Sequence, residues 1–283
     1  MVGNGRTRMP VQRHKIAFLH IPKTGGAALE HFLRHLYPDD PQWYFSFFGL
    51  DSSNGRNQVL IEAMQPGDSE QRRIASSAHF QNAHVVAGHF SANLAELFPD
   101  YSFRYFTILR EPVSRVISNI YQYSSPAANG QPARFAGRTV PDRISDPGAY
   151  WAAVGGILRE ANFGRVFGLM PHESMMLNNG MCRMLAGAPL HTNASQVSVR
   201  AALDRANTMA LAWFSDFNAS VTSALASVGI PLVLDERTNR RGAGSPAAHT
   251  NHSPDYGCPD DVRHLITRMN QSDLELYRTL APR

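Results

Sequence analysis

The chain has 283 residues, 43% of them hydrophobic and 18% charged, with a formal net charge of +4. That length supports one large α/β domain or two small ones, each with a sizeable core, and the composition excludes general disorder. The mild positive excess suits an anionic cofactor or a polyanionic substrate, and it is too small and too scattered for a nucleic-acid binder.

Residues 1–14 read as a flexible basic tail, with no apolar stretch behind it that could act as a signal segment. No run reaches the roughly 18 apolar residues of a membrane span. Cys182 and Cys258 stand far apart, with no C-x-x-C partner. One disulfide is open to them, but two idle thiols of a reduced compartment are the favoured reading, so the expectation is a soluble, cytoplasmic protein.

From residue 15 to 283 a single domain is expected. Its first element is the apolar, strand-like IAFLHI, which ends at Pro22 and passes through Lys23-Thr24-Gly25-Gly26 into a helical pattern carried by Ala28, Leu29, Phe32, Leu33 and Leu36. A strand that stops at a Gly-containing turn and restarts as a helix makes a cradle for an oxyanion. Backbone N–H groups and the positive end of the helix converge there, a lysine adds mobile charge, a threonine adds a hydroxyl, and the glycines admit close approach. The chemistry implied is the handling of a phosphate-like or sulfate-like group.

PQWYFSFFGL reads as a short strand or a substrate-side loop, and DSSNGRNQ as a turn. Val85 to Ala87 then repeat the opening in weaker form, ending at Gly88-His89 before a helical pattern through Leu94, Leu97 and Phe98. His89 thereby falls at the C-terminal end of a strand, the edge on which open α/β sheets bind ligands. Phe103 to Leu109 form a second clear strand, with Arg110 at its end and Pro112 at the first helical position of the pattern Val113, Val116, Ile117, Ile120. Ser118 lies eight residues after Arg110, two turns into that helix. Helical side chains lean towards the N-terminus, so Arg110 and Ser118 are placed to grip one anion from two sides.

Residues 124–148, rich in Pro, Gly and Ala and carrying Arg134, Arg138 and Arg143, read as an irregular segment, a candidate basic flap over a substrate. A helix follows over 150–163. LNNGMCRMLAG, with Arg183, is a loop or a helix, residues 199–229 hold two helical patterns, and IPLVLD is a short strand. A second irregular loop spans 236–259 with Arg237, Arg240 and Arg241, and a final helix starts near Pro259. His249, His252, Asp255 and Cys258 invite a zinc reading, but no paired spacing supports it and no metal is expected. The pattern as a whole is α/β with a central, mainly parallel sheet flanked by helices.

The cradle is not a Walker A loop, in which the lysine follows the glycines, because here Lys23 precedes Gly25-Gly26. IPKTGG instead resembles the 5′-phosphosulfate loop of sulfotransferases that use 3′-phosphoadenosine 5′-phosphosulfate (PAPS). LREPVSRVISNIY resembles their 3′-phosphate strand and helix, including the Arg-to-Ser spacing. With GHFS between the two motifs, the likeness is greatest to the branch containing the glycan (uronyl) 2-O-sulfotransferases, and it covers about residues 15–240. Relatives often carry a second histidine two positions before the base, where this chain has Ala87.

The resemblance implies a P-loop-like three-layer fold and in-line sulfuryl transfer from PAPS, released as adenosine 3′,5′-bisphosphate, to a hydroxyl of an acceptor such as an anionic saccharide. It implies Lys23 and His89 as catalytic residues, with His89 the base. Pro22, Lys23, Thr24, Gly25, Gly26 and Ala27 would hold the 5′ end, and Arg110 and Ser118 the 3′-phosphate. Arg240, Arg241 and Gly242 would close over it. Charge alone makes Arg183, Arg134 and Arg138 candidate contacts for the acceptor, with solvated surface arginines as the competing reading. Two other classes compete. A P-loop kinase or NTPase lacks the required Gly-Lys order and an evident magnesium-binding acid, and a non-catalytic glycan- or nucleotide-binding protein would keep the anion sites without turnover.

Overall fold

The computed structural model describes residues 13–37, 39–40, 42–47, 66–124, 132–160, 177–187, 198–231 and 256–282. The chain runs β1 (Arg13–Leu19), α1 (Gly26–His35), β2 (Tyr44–Ser46), α2 (Ser69–Ser76), α3 (Ala78–Asn82), β3 (Val85–Gly88), α4 (Leu94–Leu97), β4 (Tyr101–Leu109) and α5 (Pro112–Tyr123). A hairpin of β5 (Arg134–Phe135) and β6 (Arg138–Thr139) precedes α6 (Pro147–Arg159). Then follow α7 (Gly180–Ala186), α8 (Val199–Ala206), β7 (Ala210–Trp213), α9 (Phe217–Val228), α10 (Asp260–Met269) and α11 (Gln271–Leu280).

The main sheet has the order β2-β3-β1-β4-β7, and every neighbouring pair is parallel. Strands covered on both faces must be apolar on both faces, which is why FLHI and TILR read as runs rather than alternations. The pleat sends Phe18, Val85, Ala87, Phe106 and Ile108 to one side, against Leu29 and Leu33 of α1 and Val221 and Leu225 of α9. It sends Ala17, Leu19, Val86 and Leu109 to the other, against Leu94 and Leu97 of α4, Met181 and Leu185 of α7, and Ala202 of α8. The result is the three-layer α/β fold with a central parallel sheet that the sequence predicts. A third cluster joins α5, the hairpin, α6 and α10 through Ile117, Ile120, Phe135, Trp151, Val154 and Ile266.

Chain order and spatial order diverge around β1. The chain visits β3 on one side of β1 and then β4 on the other, so the C-terminal ends of β3, β1 and β4 lie side by side, as at a topological switch point. Leu19 is level with Gly88 on one side and with Thr107 on the other. The Thr107 hydroxyl donates to the Leu19 carbonyl at 2.7 Å, an extra buried tie across this edge.

One buried charge network joins the end of the chain to its middle. Arg115 on α5 and Asp273 on α11 are both fully buried and meet at 3.3 Å. The Asp273 carboxylate also accepts from the Met181 and Cys182 amides, at 3.0 and 2.7 Å, at the start of α7. Asn270 adds two further contacts to this region, accepting from the Asn179 amide at 2.9 Å and donating to the Leu177 carbonyl at 2.9 Å.

Several expectations change. β1 begins at Arg13, so the last two residues expected in the tail are strand. ALAW, read as helical, is β7: its four residues pair with Phe106 to Leu109, and tertiary pairing overrides a weak local pattern. Part of the expected irregular segment is the β5–β6 hairpin, held by the burial of Ala133, Phe135 and Val140. The final helix is two, α10 and α11, separated at Asn270. Both cysteines are free and buried. The turn at 51–58, most of IPLVLD, and Arg237, Arg240, Arg241, His249 and His252 lie outside the described residues.

Candidate active site

The cradle folds as its residue types dictate. Lys23 at φ 69° and Gly25 at φ 89° both take left-handed backbone, which turns the chain sharply from β1 into α1. Gly25 has no substitute here, because a Cβ would stand 2.8 Å from the Phe217 ring, in addition to the positive φ. The start of α1 carries no acidic residue in its first turn and no side-chain cap. Its amides, together with the positive end of the helix dipole, therefore form an anion seat without an internal carboxylate. Thr24 is fully buried and its hydroxyl donates to the Ile21 carbonyl at 2.8 Å. Its side chain thus braces the turn, leaving its amide rather than its hydroxyl for an anion.

Two cations flank this seat. The Lys23 ammonium donates to Oε1 of Gln122 on α5, and burial, with the nearby Arg110 charge adding to it, pulls its pKa down to about 8. Arg110 is 9% exposed, donates from Nη1 to the Lys23 carbonyl at 3.0 Å and stacks on the Phe214 ring at 4.3 Å. Glu111, its neighbour, turns away to cap α5, accepting from the amides of Val113 at 3.1 Å and Ser114 at 2.7 Å. Among the described residues no carboxylate accepts a hydrogen bond from either cation. Ser118, on the same helix, is buried.

His89 follows directly on β3, and its Nδ1 lies 2.6 Å from the carbonyl oxygen of His20, which follows β1. A carbonyl only accepts, so Nδ1 carries the hydrogen and Nε2 of the neutral ring keeps its lone pair. The two imidazoles are 4.6 Å apart between centroids. His20 is itself buried: its Nδ1 lies 2.6 Å from Oε1 of Glu30 on α1, and its ring stacks on Phe18 at 5.4 Å. That ring fills the space where a side chain on Gly26 would be, since a Cβ there would come within 2.2 Å of it. The second glycine of the cradle is therefore a glycine because of His20, not because of its own backbone angle.

The structure thus places Lys23, Thr24, Gly25, Gly26 and Ala27 after β1, His89 after β3, and Arg110 and Ser118 after β4, on three adjacent strand ends. Arg183 is buried, with Nε donating to the Asn178 carbonyl at 3.0 Å, so it is not the surface arginine that the sequence leads one to expect. Arg134 is exposed, and the exposed Arg138 pairs with Glu160 on the far end of α6. Arg240, Arg241 and Gly242 lie outside the described residues. In the sequence His20 is one more residue of an apolar strand, and no local pattern singles out Glu30, Gln122 or Tyr256. The only signal for the first pair is a polar His at the end of an apolar run with a Glu on the facing side of the next helix.

These residues suit anionic groups: the uncapped helix start and Lys23 make one seat, and Arg110, with Ser118 on the following helix, brings a further charge and a hydroxyl to the same sheet edge. No curated protein matches the chain. The model of the sulfotransferase family does, over residues 9–278, so the match takes in all three strand ends and the helices behind them, and the chain belongs to the sulfotransferase family.

Proposed function

We propose that the protein transfers a sulfuryl group from PAPS to a hydroxyl of a saccharide or another hydroxylated metabolite, with His89 as base and Lys23 as the cation on the departing side. The observation that carries this reading is the bond from His89 Nδ1 to the His20 carbonyl, which puts the hydrogen on Nδ1 and makes Nε2 the basic nitrogen of the neutral ring. The bound nucleotide supplies a sulfuryl group activated by its link to the 5′-phosphate, and adenosine 3′,5′-bisphosphate remains after transfer.

The protein's own part is positioning and electrostatics. The amides of Gly25, Gly26 and Ala27, with Pro22 and Thr24 fixing the turn, hold the 5′ end. Arg110 and Ser118 would hold the 3′-phosphate, with Arg240, Arg241 and Gly242 assigned to the same group on the resemblance alone. His89 Nε2 takes the proton of the acceptor hydroxyl, which sharpens the attacking oxygen, while Lys23 offsets negative charge on the leaving phosphate. Exposed Arg134 favours an anionic acceptor, in keeping with the likeness to glycan 2-O-sulfotransferases. The two buried free thiols suit a reducing, cytoplasmic setting. Among the described residues no helix is long and apolar enough to cross a membrane.

The test is transfer of radiolabelled sulfate from PAPS across a panel of hydroxylated acceptors, with the products mapped by mass spectrometry. Labelled product with wild type, lost in His89→Ala while adenosine 3′,5′-bisphosphate still binds, is the expected result. Binding of ATP in preference to the bisphosphate would point to the kinase class instead, and binding without turnover on any acceptor would leave a nucleotide- or glycan-binding protein.

A further inference from the structure

We propose that Tyr256 is a third ligand of the 3′-phosphate, and that its hydroxyl, acting with Ser118, lets the protein tell a 3′-phosphorylated nucleotide from one that lacks the group. This rests on the nucleotide reading given above.

Tyr256 has a backbone that its residue type does not favour. Its φ is 40°, and Gly257 follows at φ 62°, giving two successive left-handed residues just before α10. A bulky residue at positive φ costs free energy, and such costs persist where the surroundings over-determine them, often at ligand sites. Here the Trp151 indole N–H donates to the Tyr256 carbonyl at 3.0 Å, and the phenol ring stacks on Tyr121 of α5 at 4.4 Å. Tyr121 is held in turn by the Arg143 guanidinium, 3.9 Å from its centroid.

The effect of this scaffold is to carry the Tyr256 hydroxyl across the chain to α5. It lies 3.4 Å from the Ser118 hydroxyl and within electrostatic reach of Arg110. At 3.4 Å two hydroxyls are coupled only loosely, because good O–H···O bonds span about 2.5–3.0 Å. Both protons are thus available to a stronger acceptor. A phosphate oxygen between them takes both, with Arg110 supplying the charge, so three donors from β4, α5 and the turn before α10 converge on one group.

The experiment is isothermal titration calorimetry of the full chain with adenosine 3′,5′-bisphosphate and with 5′-AMP, comparing wild type and Tyr256→Phe. The phenylalanine keeps the ring on Tyr121, and matching circular dichroism melts verify that the fold is retained. The expected result is a tenfold or greater preference of wild type for the bisphosphate, and a loss of about tenfold in bisphosphate affinity in Tyr256→Phe with 5′-AMP affinity unchanged. An unchanged bisphosphate affinity, or an equal loss for both nucleotides, overturns the assignment and leaves Tyr256 as a packing residue. A wild type that does not prefer the bisphosphate overturns the underlying nucleotide reading, an outcome visible before any variant is made.

Discussion

His89 Nδ1 donates to the backbone carbonyl of His20 across 2.6 Å, joining the residues that follow two neighbouring parallel strands. The bond fixes the tautomer of the neutral His89 ring. On the proposed reading, His89→Ala removes the proton acceptor and leaves the anion seat in place. Turnover with saturating PAPS is expected to fall by 10²- to 10⁴-fold, while affinity for adenosine 3′,5′-bisphosphate stays within about twofold. Full activity in His89→Ala on a verified acceptor would refute the base assignment.

Lys23, whose pKa burial and the Arg110 charge pull down to about 8, would make binding of the proposed nucleotide proton-linked. Below pH 8 the ammonium is charged in the free protein, and an anion binds without a change in its protonation. Above pH 8 the free lysine is largely neutral, and the bound anion draws a proton onto it. Affinity for the bisphosphate is thus expected to fall as pH rises from 8 towards 10, by up to about tenfold per pH unit. Calorimetry at pH 9 in two buffers of different ionisation enthalpy should register proton uptake, and Lys23→Met should abolish it. Uptake that survives in Lys23→Met would assign the linkage to another group.

Gly26→Ala tests the fit between the cradle and His20. The new methyl would fall 2.2 Å from the imidazole, which is pinned to Glu30, so the ring must leave. A loss of about 1–3 kcal/mol is expected in urea unfolding. The double variant His20→Ala/Gly26→Ala should be less destabilised than the sum of its single changes, since the alanine at 20 vacates the space. Strict additivity would show that the two residues do not share that volume.

Asp273→Ala leaves the buried Arg115 without its carboxylate and strands the Met181 and Cys182 amides. A destabilisation of about 3–5 kcal/mol is expected from thermal or chemical melts. Asp273→Asn, which keeps acceptor capacity but not charge, should lose less. A melt indistinguishable from wild type would mean that the network contributes no net stability.

What the sequence discloses and what it hides have a common physical basis. The cradle, β3, β4 and the start of α5 are legible because local rules made them: an apolar run, a Gly-containing turn, a proline at the first helical position. Lys23, His89, Arg110 and Ser118 are each placed by such a rule at a strand end or a fixed helical offset. His20 with Glu30, Ser118 with Tyr256, and Arg115 with Asp273 are contacts of another kind. Their members are ten, 138 and 158 residues apart, and only the packing of whole layers brings them together. β7 is hidden for the same reason: ALAW has no strand-like alternation, and its pairing with β4 comes from the sheet it joins. Arg183 misleads because charge suggests exposure, whereas the fold encloses it.

The Arg115–Asp273 contact also carries an implication for how the molecule is made. Every residue assigned to the seat from Lys23 to Gln122 leaves the ribosome well before Asp273 is synthesised. Until α11 docks, Arg115 on the inner side of the helix that bears Ser118 lacks the carboxylate of Asp273. Docking of α11 and completion of the charge network behind the helix that bears Ser118 are therefore one event, and a nascent or proteolytically shortened form that lacks Asp273 should seat this helix less firmly.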